Sequence, residues 1–182
     1  DQIDRSRLVQ LTVDLTNIPS PTGFEGDMAR AVREVLAGAG FDATLQPIGD
    51  ERYNAIGRLQ GQGGGKSLMF NGHLDTSFGP EQAHRGIGYE CRGTVIDDEW
   101  IYGMGTFNMK SAMATYVTAV ESIRKAGSRL GGDVVIAGVA AVAVALLLVV
   151  DWVMRESLVR LEIDGDVKGA RLELFGDSAY PG

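Results

Sequence analysis

Apolar residues recur every three or four positions near the start of the chain, at Leu8, Leu11, Leu15 and Ile18, and that spacing predicts an amphipathic helix over Ile3 to Ile18. The turn-rich run Pro19-Ser20-Pro21-Thr22-Gly23 ends it. From Glu25 to Ala39 the pattern returns, with Met28, Ala31, Val32, Val35 and Leu36 on one face and Gly38 and Gly40 as the stop. Phe41, Ala43 and Leu45 then alternate with polar residues, which predicts a half-buried strand, and Asn54 to Leu59 predicts a second. The glycine-rich stretch 61–65 reads as a hairpin-like connection. It is no phosphate loop, because Lys66-Ser67 leads into a strand where phosphate binding requires a helix.

Leu68, Met69 and Phe70 form a short apolar run suited to a strand buried on both faces. It stops at Asn71-Gly72 and delivers His73 and Asp75, at the end of a strand where ligands gather in open α/β sheets. Two residues apart on an extended backbone, these side chains project to one side, so the carboxylate can orient the imidazole or both can face one metal. A long loop follows from Phe78 to Asp98. It contains Cys91, a solvated His84 and the start of the acidic turn Asp97-Asp98-Glu99. Trp100 to Gly105 reads as a short strand closing into a glycine turn, and Asn108-Met109-Lys110 opens a helix, making a second strand–turn–helix tip. Met113, Tyr116, Val117, Val120 and Ile123 give that helix a buried face. Arg124 and Lys125 suit its C-terminal dipole, and Gly127 ends it.

From Val134 to Val150 the chain runs seventeen residues without a charge, bounded by Asp133 and Asp151. A spanning helix needs about 20 such residues with basic flanks, so a core strand running into a buried helix is expected and a membrane partner is not. Leu158 to Ile163 and Ala170 to Phe175 read as two further strands around Asp164-Gly165-Asp166.

Composition narrows the classes. At 182 residues the chain can bury one full domain core. A formal charge of −7 without a Lys/Arg run argues against a nucleic-acid surface and an anionic membrane partner. A single cysteine permits no internal disulfide, and the charged N-terminus has no apolar secretory segment, so a cytoplasmic location is expected.

Taken in order, IPSPTGFEGDMARAVREVLAGAGF, NAIGRL, SLMFNGHLDTSFGP, IYGMGTFNMKSAMA and GGDVVIAGVA resemble the two-zinc exopeptidase and deacylase family. That family includes acetylornithine deacetylase, succinyl-diaminopimelate desuccinylase and glutamate carboxypeptidase, and the resemblance covers about residues 8–140. KGARLELFGDSAYPG weakly resembles the start of the family's lid domain. The resemblance implies a three-layer α/β/α sandwich with a mostly parallel or mixed sheet. It places a partial catalytic domain at 1–165 and the first strand of a lid or dimerisation domain at 166–182. It implies hydrolysis of amide bonds in N-acyl amino acids or at peptide C-termini, two zinc ions or cobalt in their place, and a homodimer of the full-length parent. His73 would be a metal ligand, Asp75 its supporting catalytic-site carboxylate, Asn108 the occupant of the bridging-carboxylate position, and Tyr180 the occupant of a substrate-binding lid position.

The chain departs from the family pattern in its later motifs. Asn108 is a neutral amide where a bridging aspartate holds both metals. Ala141, Val142 and Ala143 stand where a Glu-Glu pair supplies base and ligand; Met104 replaces an arginine and Tyr180 a histidine. Truncation, degeneration into a binding or assembly module, and an altered segment over 141–157 each remain as explanations.

Overall fold

The central strand of the structure is β6, Val134–Val139, every residue of which is buried. That is why Val-Val-Ile-Ala-Gly-Val can be apolar without alternation: both faces of the strand are covered. The structure is a computed structural model, and it describes residues 2–77, 93–96 and 99–140. The chain divides into two compact units, Asp1–Ala145 and Leu146–Gly182, and every described residue belongs to the first.

Around β6 lie β1 (Asp42–Gly49), β2 (Arg52–Leu59) and β3 (Leu68–His73), in the order β1-β2-β6-β3. The pairs β1/β2 and β2/β6 are antiparallel, while β3 runs parallel to β6. The sheet is therefore mixed. Its parallel pair places His73 opposite Val139, so the two strands end side by side. A separate two-stranded sheet pairs β4 (Thr94–Ile96) with β5 (Trp100–Tyr102).

Three helices, α1 (Arg5–Thr16), α2 (Gly26–Gly38) and α3 (Ser111–Lys125), match the periodic segments to within two or three residues. Asp4 caps α1 by accepting the Arg7 N–H at 2.9 Å. All three pack on one face of the sheet, where Leu11, Leu15, Met28, Val32, Leu36, Met113, Val117 and Val120 meet Ala55, Val134 and Ile136. On the opposite face Ile56, Val135, Ala137 and Val139 are buried as well. The α/β architecture with a mixed sheet thus stands as read from the sequence.

Three local readings are corrected. The 61–65 segment is no hairpin, because β6 lies between β2 and β3; it crosses the lead-in to β6 so closely that a Cβ on Gly61 would sit 2.3 Å from the Gly132 carbonyl oxygen. Leu68 is 52% exposed, so β3 is not buried on both faces throughout; β3 is one of the two edge strands of the described sheet. The short strand at Trp100–Tyr102, the glycine turn and the helix after it are present as read, the strand lying in the small sheet. Ile123 lies at the exposed margin of α3, and Ala114 and Thr118 take the buried positions instead. The expected strands after residue 157, His84, Cys91, the turn at Asp97-Asp98 and the 141–157 segment lie outside the described residues, as does the 165/166 domain boundary.

Candidate half-site at the ends of two parallel strands

His73 is the last residue of β3. Its Nδ1 lies 2.9 Å from the Asp75 carbonyl oxygen and 3.2 Å from Asp75 Oδ1. Its Nε2 points the other way, 2.8 Å from Asn108 Oδ1. The sequence reading placed His73 and Asp75 together, and they are together. Asn108, 35 residues further on, is brought to the same point.

The turn before α2 holds Asp75 in place. Ser20 Oγ donates to the Leu74 carbonyl at 2.7 Å, the Thr76 N–H donates to the Ser20 carbonyl at 2.8 Å, and the Thr22 N–H donates to the Thr76 carbonyl at 3.1 Å. Thr22 Oγ1 donates to Asp75 Oδ2 at 2.8 Å. The other carboxylate oxygen, Oδ1, is buried and makes no hydrogen bond among the described residues; it lies 3.2 Å from His73 Nδ1.

That turn is anchored in turn by Glu25, whose side chain is fully buried. A buried carboxylate must be paired. Arg52 of β2 supplies the pair with two bonds of 2.8 and 2.9 Å, and the Gly23 N–H adds a third at 2.9 Å. The hydrogen bonds to Glu25 raise the Arg52 pKa above its ordinary value, so the guanidinium stays charged. The same Arg52 Nη2 donates to the Ala140 carbonyl at 2.9 Å, and the buried Asn54 accepts the Ala140 N–H at 3.0 Å. Ala140, the residue just after β6, is therefore gripped at both backbone groups by β2 side chains.

Asn108 sits in a wide turn, Thr106–Lys110, in which the Lys110 N–H reaches the Gly105 carbonyl at 2.9 Å. Gly105 is left-handed, with φ +75°, and a Cβ there would approach Thr76 Cγ2 to 2.6 Å. Both facts favour glycine. The Asn108–Met109 peptide is cis. The turn is tied to the end of α1 through Thr16 Oγ1 and Thr106 Oγ1, 3.1 Å apart, and through Lys110 Nζ, which donates to the Ile18 carbonyl at 2.5 Å. Lys110 is 2% exposed, and burial lowers its pKa from 10.5 to about 8.

As a metal centre this set is incomplete. Among the described residues no three His, Cys, Asp or Glu side chains gather about one point. One imidazole and one neutral amide fall short of the three or four donors that zinc takes from a protein. Asp75 Oδ2 accepts from Thr22, and Oδ1 lies 3.2 Å from the His73 ring. Tyr180 lies outside the described residues. Sequence reasoning gave no roles to Thr22, Glu25, Arg52, Asn54 and Lys110, all of which hold this site. The signal available was the SPTGFE block, whose order was recognised but whose partners lie far along the chain.

Comparison with known proteins agrees with the architecture. Residues 69–141 match peptidase family M20/M25/M40. A succinyl-diaminopimelate desuccinylase of Cereibacter sphaeroides is 35% identical over 111 residues, 61% of this chain and 28% of that protein. One from Pseudomonas fluorescens is 32% identical over 120 residues, 65% of this chain and 30% of its own. Among solved structures, human carnosine dipeptidase 1 superposes with a TM-score of 0.63 at 20% identity, covering 80% of this chain and 34% of that one. The di-peptidase Dug1p from Saccharomyces cerevisiae gives 0.66 at 14% identity, covering 80% and 35%. These two likenesses show the fold. Over its N-terminal part the chain is similar to the peptidase M20/M25/M40 family, and it spans less than a third of the length of the desuccinylases it matches.

Proposed function

We propose that the full-length protein is a metal-dependent hydrolase of amide bonds, acting on N-acyl amino acids or on C-terminal peptide bonds, and that the described residues form one side of its two-metal centre. The observation that carries this reading is the convergence of His73 Nε2 and Asn108 Oδ1 to 2.8 Å, with Asp75 behind the imidazole. The two side chains are in direct hydrogen-bond contact at the strand end, and a carboxylate behind a histidine is the usual support for a metal-bound ring. The relatives named as desuccinylases and dipeptidases support the substrate class. Zinc is the metal the reading favours, with cobalt as a substitute; a homodimer and a cytoplasmic location belong to the same proposal. No helix among the described residues is long and apolar enough to cross a membrane.

A second reading has its own observation. Asn108 and the run Ala141-Val142-Ala143 remove the bridging charge and both glutamates, which favours a non-catalytic module that keeps the fold for binding or assembly. Zinc titration followed through the histidine ring resonances separates the two. The chain has two histidines, so in His84→Gln every ring signal belongs to His73. Perturbation of His73 by zinc is expected to be weak, because few donors are present. A response at His73 that Asn108→Ala leaves unchanged is that of a lone accessible imidazole and supports the binding module; one that Asn108→Ala weakens supports the metal centre.

A further inference from the structure

Two phenylalanines on the turns around the strand end are left in solvent. Phe107 is 97% exposed and Phe24 76%. Phe107 lies between Thr106, whose hydroxyl meets that of Thr16 at 3.1 Å, and Asn108, whose Oδ1 lies 2.8 Å from His73 Nε2. Phe24 closes a tight turn by donating its N–H to the Pro21 carbonyl at 2.8 Å. Thr22 of that turn donates to Asp75, and the residue after Phe24 is the fully buried Glu25. The anchored neighbours fix both backbones, so the rings are presented without the ordering cost that a mobile loop would add.

The same turns carry no charge. Residues 16–24 and 103–109 contain no Asp, Glu, Lys or Arg, in a chain with 17 basic and 24 acidic residues. The cations bonded into the site are already engaged: Arg52 by Glu25 and the Ala140 carbonyl, Lys110 by the Ile18 carbonyl. An anionic group such as a succinyl carboxylate therefore meets no charged donor on these turns. An apolar group instead takes exposed ring surface out of water. We propose that Phe24 and Phe107 form an apolar subsite on the turns flanking His73, which takes an uncharged aromatic or aliphatic group of an N-acyl amino acid or peptide. The proposal rests on the metal-centre reading for the kind of ligand and narrows it. The relatives named desuccinylases carry a succinyl group in their name, whereas these turns favour an apolar group.

The test uses the full chain with para-fluorophenylalanine at its six phenylalanine positions, read by fluorine NMR with no metal added. Phe24→Leu and Phe107→Leu each remove one resonance and so assign it; both rings are exposed, so neither change opens the core. N-acetyl-L-phenylalanine, raised into the millimolar range, is expected to move both resonances along saturating curves. N-succinyl-L-alanine at the same concentrations is expected to leave them in place. Phe107→Ser, followed through the Phe24 resonance, should weaken binding of N-acetyl-L-phenylalanine about fivefold or more. The proposal is overturned by no movement with the aromatic probe, by equal movement with the succinyl probe, or by an affinity that Phe107→Ser leaves unchanged. Failure of the metal-centre reading looks different: both resonances respond to the aromatic probe, while Asn108→Ala leaves the zinc response of His73 unchanged, and the apolar subsite then stands without a metal beside it.

Discussion

Arg52 and Glu25 form a two-bond ion pair, at 2.8 and 2.9 Å, with the carboxylate fully buried and the guanidinium about one third exposed, at 29%. The pair joins β2 to the turn that holds Asp75, and its Nη2 reaches on to Ala140. Removing one partner strands a buried charge. Arg52→Met is accordingly expected to lower stability by about 3–5 kcal/mol, read as a shift of the urea midpoint at unchanged slope. A change below about 1 kcal/mol would mean that Glu25 finds another partner.

Lys110 ties the Asn108 turn to α1 and carries a pKa lowered by burial to about 8. The unfolded chain holds that proton until about pH 10.5, so between these values the unfolded state binds more protons than the folded one. Stability from this group therefore rises with pH through that window and is lowest below pH 8, where the buried ammonium is charged in both states. Comparing urea midpoints of the parent chain and Lys110→Met from pH 7 to pH 10 isolates the effect. The parent should gain relative to the variant by the order of 1–3 kcal/mol over that range; parallel curves would contradict the desolvation account.

Two glycine substitutions should act in opposite directions. A Cβ on Gly132 would lie 2.0 Å from the Lys66 carbonyl oxygen, in the crossing that replaces the expected hairpin. Backbone cannot move aside cheaply, so Gly132→Ala should cost about 1–3 kcal/mol. At Gly38, in the last turn of α2, nothing lies within 4 Å of the added atom, and Gly38→Ala should stabilise by about 0.5–1 kcal/mol. A thermal midpoint for Gly132→Ala at or above the parent's would show that the crossing is looser than described, and a lowered one for Gly38→Ala would contradict the open space at that helix end.

Restoring the bridging charge by Asn108→Asp should strengthen zinc binding about tenfold or more, since a carboxylate replaces a neutral amide beside His73. It should not produce hydrolysis of an N-acetyl amino acid, because Ala141, Val142 and Ala143 supply neither base nor ligand. Turnover by that single variant would show that the base lies elsewhere.

Local patterns made much of the fold legible. The three helices announced themselves by apolar spacing, and β6 by an apolar run too short to span a membrane. His73 and Asp75 stood out because an apolar run ended in two polar side chains of matching chemistry. What remained hidden was long-range pairing. Thr22 and Asp75 are 53 residues apart and Arg52 and Ala140 are 88 apart, and nothing in a turn-like SPTGFE shows that its glutamate is buried. The insertion of β6 between β2 and β3 was equally invisible, because two strands joined by glycines look alike whether they pair or flank a third.

The central claim is that these residues form one side of a two-metal centre and not a complete one. Equilibrium dialysis of the chain against micromolar zinc, followed by metal analysis, tests it most directly. The account predicts that the chain alone retains less than one equivalent, with any weak binding lost in His73→Ala. Two equivalents held tightly at that concentration would contradict it, because the described donors, one imidazole and one amide, could not hold them.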